Sequence, residues 1–142
     1  MPEAEKTGAD LALAVVRSIR TNSPAVAGLN IDIRDASPGR VQLAMQLQPT
    51  MLNAQGLAHG GYLFALADTC AACAALSYNQ LAVTQTATIQ YLAPGPAAEL
   101  VATASEVTRA GRTAVYDVEI RGQDRLIVLV RTVFRLLEGS VI

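Results

Sequence analysis

From residue 29 onward the chain alternates between apolar and polar positions. Leu29, Ile31 and Ile33 stand against Asn30, Asp32 and Arg34, and beyond Ser37-Pro38-Gly39, Val41, Leu43, Met45 and Leu47 stand against Gln42, Ala44, Gln46 and Gln48. A period of two on both sides of a turn composition predicts a β-hairpin, and Pro49 ends its second strand. The pattern then changes. After His59-Gly60-Gly61, the run from Tyr62 to Ser77 is apolar or small on every side apart from Asp68 at its middle. Its Ala and Leu content predicts a helix, and a helix with no polar face predicts one surrounded by protein.

Past Tyr78-Asn79-Gln80 the period of two returns over 82–92. Thr84, Thr86, Thr88 and Gln90 fall on one face, with Val83, Ala87, Ile89 and Tyr91 on the other. Ala93-Pro94-Gly95-Pro96 is a turn by composition. Three more strands are readable at about 99–108, 112–121 and 125–137, separated by Arg109-Ala110-Gly111-Arg112 and Gly122-Gln123-Asp124. Ahead of all this, Asp10 is placed to cap a short helix over about 11–20, with Leu11, Val15 and Ile19 as its apolar stripe and Pro24 beyond its end. Residues 1–9 and 138–142 are expected to be flexible.

The predicted order is a short helix, two strands, a buried helix and four strands, with connections short enough for antiparallel pairing. The economical α+β arrangement is one long helix wrapped by a curved antiparallel sheet of about six strands. The first hairpin must join that sheet, because a two-stranded ribbon alone is marginal.

Composition narrows the function classes. The chain has 142 residues, enough for one domain with a real core, and is 51% apolar and only 16% charged, with a net charge of −1. Neither nucleic acid nor an anionic membrane is favoured as a partner. So few charges would leave a monomer with large apolar patches, which predicts self-association. The N-terminus lacks a basic region followed by a long apolar run, so a cytoplasmic protein is expected. The 62–77 run is short for a membrane span and carries an acid at its midpoint.

Asp68 is the candidate for chemistry. From Val41 to Ala98 it is the only residue with a formal charge when His59 is neutral. Burying an unpaired carboxylate costs several kcal/mol, so such an acid is either well satisfied by hydrogen bonds or used. Gly60 and Gly61 open the helix, where unsatisfied N–H groups and the positive end of the helix dipole favour a developing negative charge. Cys70 and Cys73 form a C-x-x-C on the same helix. A redox pair wants its first cysteine at an exposed helix start, and zinc wants four ligands where this chain offers two Cys and one His, so both are expected to be packing thiols, with no metal site.

Taken in order, Asn53, His59-Gly60-Gly61, Leu66-Ala67-Asp68-Thr69, Tyr91-Leu92-Ala93-Pro94, Arg109-Ala110-Gly111-Arg112 and Val115-Tyr116-Asp117-Val118-Glu119-Ile120 resemble the hotdog-fold acyl-CoA thioesterases, within them the phenylacetate-degradation (PaaI-like) branch. The resemblance covers nearly the whole chain after about residue 25. It implies one hotdog domain that hydrolyses an acyl or aryl-acyl coenzyme A thioester to the free acid and CoA, with no cofactor beyond the CoA of the substrate. It implies Asp68 as the carboxylate that activates water or attacks the carbonyl, and Gly60 as the main-chain oxyanion donor. Asn53 and His59 would polarise or position the thioester, and the hydroxyl that orients the nucleophile would come from Thr84, with Thr86 or Thr88 as alternatives on the same face. Tyr91, Leu92, Ala93, Arg109, Gly111 and Arg112 match regions that line the coenzyme A groove. Homodimers, and a dimer of dimers, are implied with sites at the dimer interface. The reading from another class is a non-catalytic acyl-CoA binding module on the same fold.

Overall fold

The computed structural model describes residues 7–142; the rest of the N-terminal segment expected to be flexible lies outside the described residues. The elements are α1 (Gly8–Asn22), α2 (Pro24–Ala27), β1 (Ile31–Ser37), β2 (Arg40–Gln46), a 3-10 turn (Pro49–Met51), α3 (Gly60–Leu76), β3 (Ala82–Tyr91), β4 (Glu99–Ala110), β5 (Thr113–Gly122) and β6 (Arg125–Leu136). The strands form one six-stranded antiparallel sheet in the order β1-β2-β4-β5-β6-β3. The first hairpin joins it through β2, whose Leu43 pairs with Ala102 of β4.

Alternation decides which face meets the helix. Val41, Leu43 and Met45, then Leu100, Ala102 and Ala104, then Tyr116, Val118 and Ile120, then Val128, Val130 and Phe134 are all buried, and α3 lies across them. Extra residues enter the ladder at Arg34, Gln85, Val107 and Ile127. Each such bulge bends its strand and adds twist, so the sheet curls around the helix. A long helix held in a curved antiparallel sheet is the hotdog arrangement that the resemblance implies.

Three expectations change. The cap of α1 is Thr7, whose hydroxyl accepts from the Asp10 N–H while the Asp10 carboxylate accepts from the Thr7 N–H. Asp10 is therefore the third helical residue of a capping box, not the cap, and the helix starts earlier. Its core-facing stripe is Ala12, Val15, Val16 and Ile19, with Leu11 at the margin. Next, the tail after β6 is tied down. Asn79, in the left-handed region at φ 58°, accepts from the N–H groups of both Val141 and Ile142 at 2.9 Å and donates to the Ile142 carbonyl, while Leu81 N–H donates to Gly139 O.

The third change concerns α3, which is not buried on every side. Leu63, Leu66, Ala67, Cys70, Ala71, Cys73, Ala74 and Ala75 are covered by the sheet and α1, but Gly61, Ala65, Asp68, Ala72 and Leu76, at i, i+4, i+7, i+11 and i+15, form a stripe the chain leaves partly open. Sequence composition cannot separate a helix enclosed by its own chain from one that awaits a second copy. β3, which packs beside α3, is an edge strand of ten residues, with Val83 and Tyr91 about half exposed.

Candidate active site

The loop before α3 is closed around Asn53. Asn53 N–H donates to Leu57 O at 2.7 Å, and its Oδ1 accepts from the N–H groups of Gln55 and Leu57 at 2.9 and 3.1 Å. Gly56 supplies the positive φ (75°) the turn needs. With Oδ1 doubly occupied, Asn53 has only its Nδ2 hydrogens to offer, so it can donate to a carbonyl but has little capacity left to accept.

The chain then enters α3 through His59, which caps the helix from its side chain: Nδ1 accepts from Gly61 N–H at 3.0 Å. That bond requires the tautomer with hydrogen on Nε2, so the exposed imidazole presents a donor outward rather than a base. The His59 carbonyl is engaged by the N–H groups of Tyr62 and Leu63. Among the described residues nothing accepts from the Gly60 N–H itself. It is an unsatisfied donor at the positive end of a 17-residue helix, the arrangement that stabilises an oxyanion.

Ala58 N–H donates to Gly95 O, and a Cβ on Gly95 would come within 2.7 Å of the Ala58 methyl group. This close approach seats the loop against the segment that leaves β3. Between them lies a cleft of about 350 Å³ lined by Asn53, Leu57, Ala58, Tyr91, Leu92, Ala93, Pro94 and Gly95. Leu92 and Ala93 are fixed by main-chain bonds to the Ile127 carbonyl. The fold therefore brings Asn53, His59, Gly60, Tyr91, Leu92 and Ala93 together.

Asp68 lies eight residues into α3, about 12 Å further along the axis at 1.5 Å per residue. It is half-buried on the open stripe, and no described residue gives it a hydrogen bond or an ion pair. Burial raises its carboxyl above the ordinary value of 3.8. A carboxylate with a raised pKa and no partner among the described residues takes a proton more readily than an ordinary one, which suits a general base.

Thr84 is corrected in its neighbours. The bulge at Gln85 sets Thr84 opposite Phe134 and Thr86 opposite Val133, so the strand parity flips between them. Thr84 shares the helix-facing side with Ala87, Ile89 and Tyr91, while Thr86, Thr88 and Gln90 point to the outer face. The expected common face of Thr84, Thr86 and Thr88 does not form, and Thr84 alone of the three lies on the helix side. Seven residues separate Thr84 from Tyr91, about 23 Å along a strand, so Thr84 is far from Gly60 within one chain.

Arg109 is already engaged within the chain. Its guanidinium turns inward at the far end of α3 and donates to Ala75 O, Tyr116 Oη and Gln80 Oε1, with the Tyr78 ring 4.1 Å beneath it. Glu106 accepts from both Tyr78 and Tyr116 hydroxyls and completes the network. Arg109 caps one C-terminal carbonyl of α3, that of Ala75, and spends three of its five N–H donors within the chain. Gly111 makes the β4–β5 turn at φ 59°, and Arg112 beside it is exposed without an ion pair among the described residues. Within one chain this turn and the Tyr91–Ala93 segment lie at opposite ends of α3, so they do not form one groove.

The two thiols are buried. Cys70 Sγ donates to Val41 O at 3.3 Å, and burial pushes the Cys70 thiol up and the Cys73 thiol up to about 12, far from a reactive thiolate. Among the described residues no group of three or more His, Cys, Asp or Glu is placed to hold a metal ion, and no helix is long and apolar enough to cross a membrane.

The profile of the thioesterase superfamily matches residues 55–128, the stretch from the Asn53 loop into β6. The acyl-coenzyme A thioesterase PaaI of Escherichia coli K12 is 34% identical over 122 residues, which cover 84% of this chain and 87% of that protein. The structure of the E. coli PaaI protein of the phenylacetic acid degradation operon superposes with a TM-score of 0.91 at 33% identity, covering 94% of this chain and 99% of that one. A thioesterase protein from Streptococcus pneumoniae TIGR4, solved with coenzyme A, superposes with a TM-score of 0.80 at 25% identity, covering 86% of this chain and 98% of that one.

Proposed function

Since the chain belongs to the thioesterase superfamily, we propose that it is an acyl-CoA thioesterase acting as a single hotdog domain, with each active site shared between two copies. The observation that carries this reading is the separation of two unsatisfied sets of groups. The free Gly60 N–H and the Asn53 Nδ2 hydrogens sit at one end of α3, and the unpartnered Asp68 sits about 12 Å away on its open stripe. One thioester carbonyl cannot reach both, since an oxyanion donor must lie near 3 Å and an attacking group within about 3–3.5 Å. A second copy running antiparallel about a two-fold axis sets Gly60 of one chain beside Asp68 of the other and covers both the open stripe and the β3 edge. The assembly is a homodimer, with a dimer of dimers as the higher order.

In the reaction, the Gly60 N–H, assisted by Asn53 Nδ2 and His59 Nε2, holds the thioester carbonyl oxygen. Asp68 takes a proton from water, which the Thr84 hydroxyl would orient, as the water oxygen attacks the carbonyl carbon. The tetrahedral oxyanion then collapses, the C–S bond breaks, and the CoA thiolate receives the proton from Asp68, leaving the free acid. Direct attack by Asp68, with water opening the resulting anhydride, balances equally. Arg112, Tyr91, Leu92 and Ala93 would meet the CoA portion across the interface.

A screen of short, medium, long and aryl acyl-CoAs with a thiol-trapping reagent tests this. Release of CoA from at least one class is expected, and binding without release across all of them would leave a non-catalytic binding module. We propose that no metal or redox cofactor takes part. Chelators should leave the rate unchanged, and Cys70→Ala and Cys73→Ala should each keep activity at a stability cost of about 1–2 kcal/mol for trimming a small buried side chain. Activity lost to a chelator and restored by zinc would contradict this.

A further inference from the structure

Two glycines open α3, and glycine is the freest residue of the backbone. A donor mounted there would aim poorly unless something else fixed it. The Gly60–Gly61 peptide unit is held from both sides. Its carbonyl, Gly60 O, accepts from the Tyr91 hydroxyl at 3.0 Å, and its N–H, on Gly61, donates to His59 Nδ1 at 3.0 Å. The preceding unit is held at its carbonyl by Tyr62 and Leu63 N–H at 3.0 and 3.2 Å. A Cβ on Gly60 would lie 3.3–3.4 Å from the Tyr91 ring and hydroxyl, so the tyrosine packs closely on the bare backbone there.

We propose that Tyr91 is a positioning residue for the oxyanion hole: its hydroxyl and the His59 imidazole clamp the Gly60–Gly61 peptide, so the neighbouring His59–Gly60 unit, which carries the free Gly60 N–H, cannot turn about the Gly60 backbone bonds. This role goes beyond lining a groove, and it rests on Gly60 being the oxyanion donor of the function proposed above. Tyr91 touches no reacting atom. It acts by removing the freedom that two adjacent glycines would otherwise give the first turn, and a preorganised donor loses nothing to reorientation when charge develops.

Tyr91→Phe deletes one oxygen and keeps the ring. It should lower kcat roughly 2- to 12-fold, the factor that one ordinary hydrogen bond is worth, while KM changes less than about twofold. Tyr91→Leu, which also strips the ring from Gly60, separates the clamp from mere cover: if the tyrosine only covered the helix start, Phe would match the wild type and Leu alone would be impaired, and the clamp would be wrong. Circular dichroism and thermal unfolding check that both variants fold.

A spectroscopic readout is independent of turnover. In an Asp68→Asn background, an acyl-CoA labelled with carbon-13 at the thioester carbonyl should show its stretching band shifted to lower frequency on binding, as hydrogen bonds polarise the carbonyl. Adding Tyr91→Phe should shrink that shift and broaden the band. An unchanged shift and width would overturn the positioning role while leaving Gly60 as donor. No shift in the Asp68→Asn protein itself would overturn the oxyanion hole, and the clamp with it.

Discussion

Asp68→Asn should lower kcat by roughly 10²–10⁴-fold in a protein that still folds, the usual range for loss of a positioned general base. The expectation comes from the side chain's surroundings. Asp68 has no hydrogen-bond or ion-pair partner among the described residues, so no structural bond is lost when the carboxylate becomes an amide of the same shape. The same isolation sets the sign of the stability effect. Burial raises the folded-state pKa above 3.8, so between that value and the raised one the folded chain binds more protons than the unfolded chain. Stability therefore falls as pH rises through that window, and the ionised group is a net cost at neutral pH. Asp68→Asn should melt at or above the wild-type temperature at pH 7, and the difference should fade below about pH 4, where both states are protonated. Activity runs the other way, since the base works only when ionised: kcat/KM should fall with acidification through a pKa above the ordinary carboxylate range. Near-wild-type turnover by folded Asp68→Asn would remove Asp68 from the mechanism.

Much of this was legible in the sequence because the informative positions are periodic or isolated. The alternation of Val41, Leu43 and Met45 sets the buried face of β2, and an acid alone between Val41 and Ala98 stands out without any structure. His59-Gly60-Gly61 before an apolar run marks a helix start, whose first N–H groups have no partner within the helix. Other features depend on geometry that periodicity does not carry. A strict period of two groups Thr84 with Thr86 and Thr88, and the extra residue Gln85 undoes that grouping. Bulges leave little local signature when the inserted residue is neither Gly nor Pro. An arginine in a turn reads as solvated and available, yet Arg109 finds acceptors on Ala75 and Gln80, 34 and 29 positions earlier, as well as on Tyr116 of the next strand. Tyr91 reads as a strand residue, and nothing in its neighbours tells that its hydroxyl ends on Gly60 O, 31 positions earlier. The open stripe on α3 was hidden for a different reason: a helix face made of Gly61, Ala65, Ala72 and Leu76 has the composition of a core whether its own chain or another one covers it.

The sharing of one site by two chains is the claim on which the mechanism turns, and subunit mixing tests it most directly. Asn53→Ala removes the Oδ1 that accepts from Gln55 and Leu57 N–H and so loosens the loop beside Gly60, while Asp68→Asn removes the base. Each variant alone should be nearly inactive. In a mixed dimer, the intact Asn53 and Gly60 of one subunit face the intact Asp68 of the other at one site, and both lesions fall together at the second. Equal amounts, fully exchanged, make half the dimers mixed, each with one working site of two, so activity should return to about a quarter of wild type. Subunit exchange is verified independently, for example by native mass spectrometry of the mixture. Recovery near that level supports the shared site. If mixed dimers form and activity stays at the level of the separate variants, each site lies within one chain and the account is contradicted.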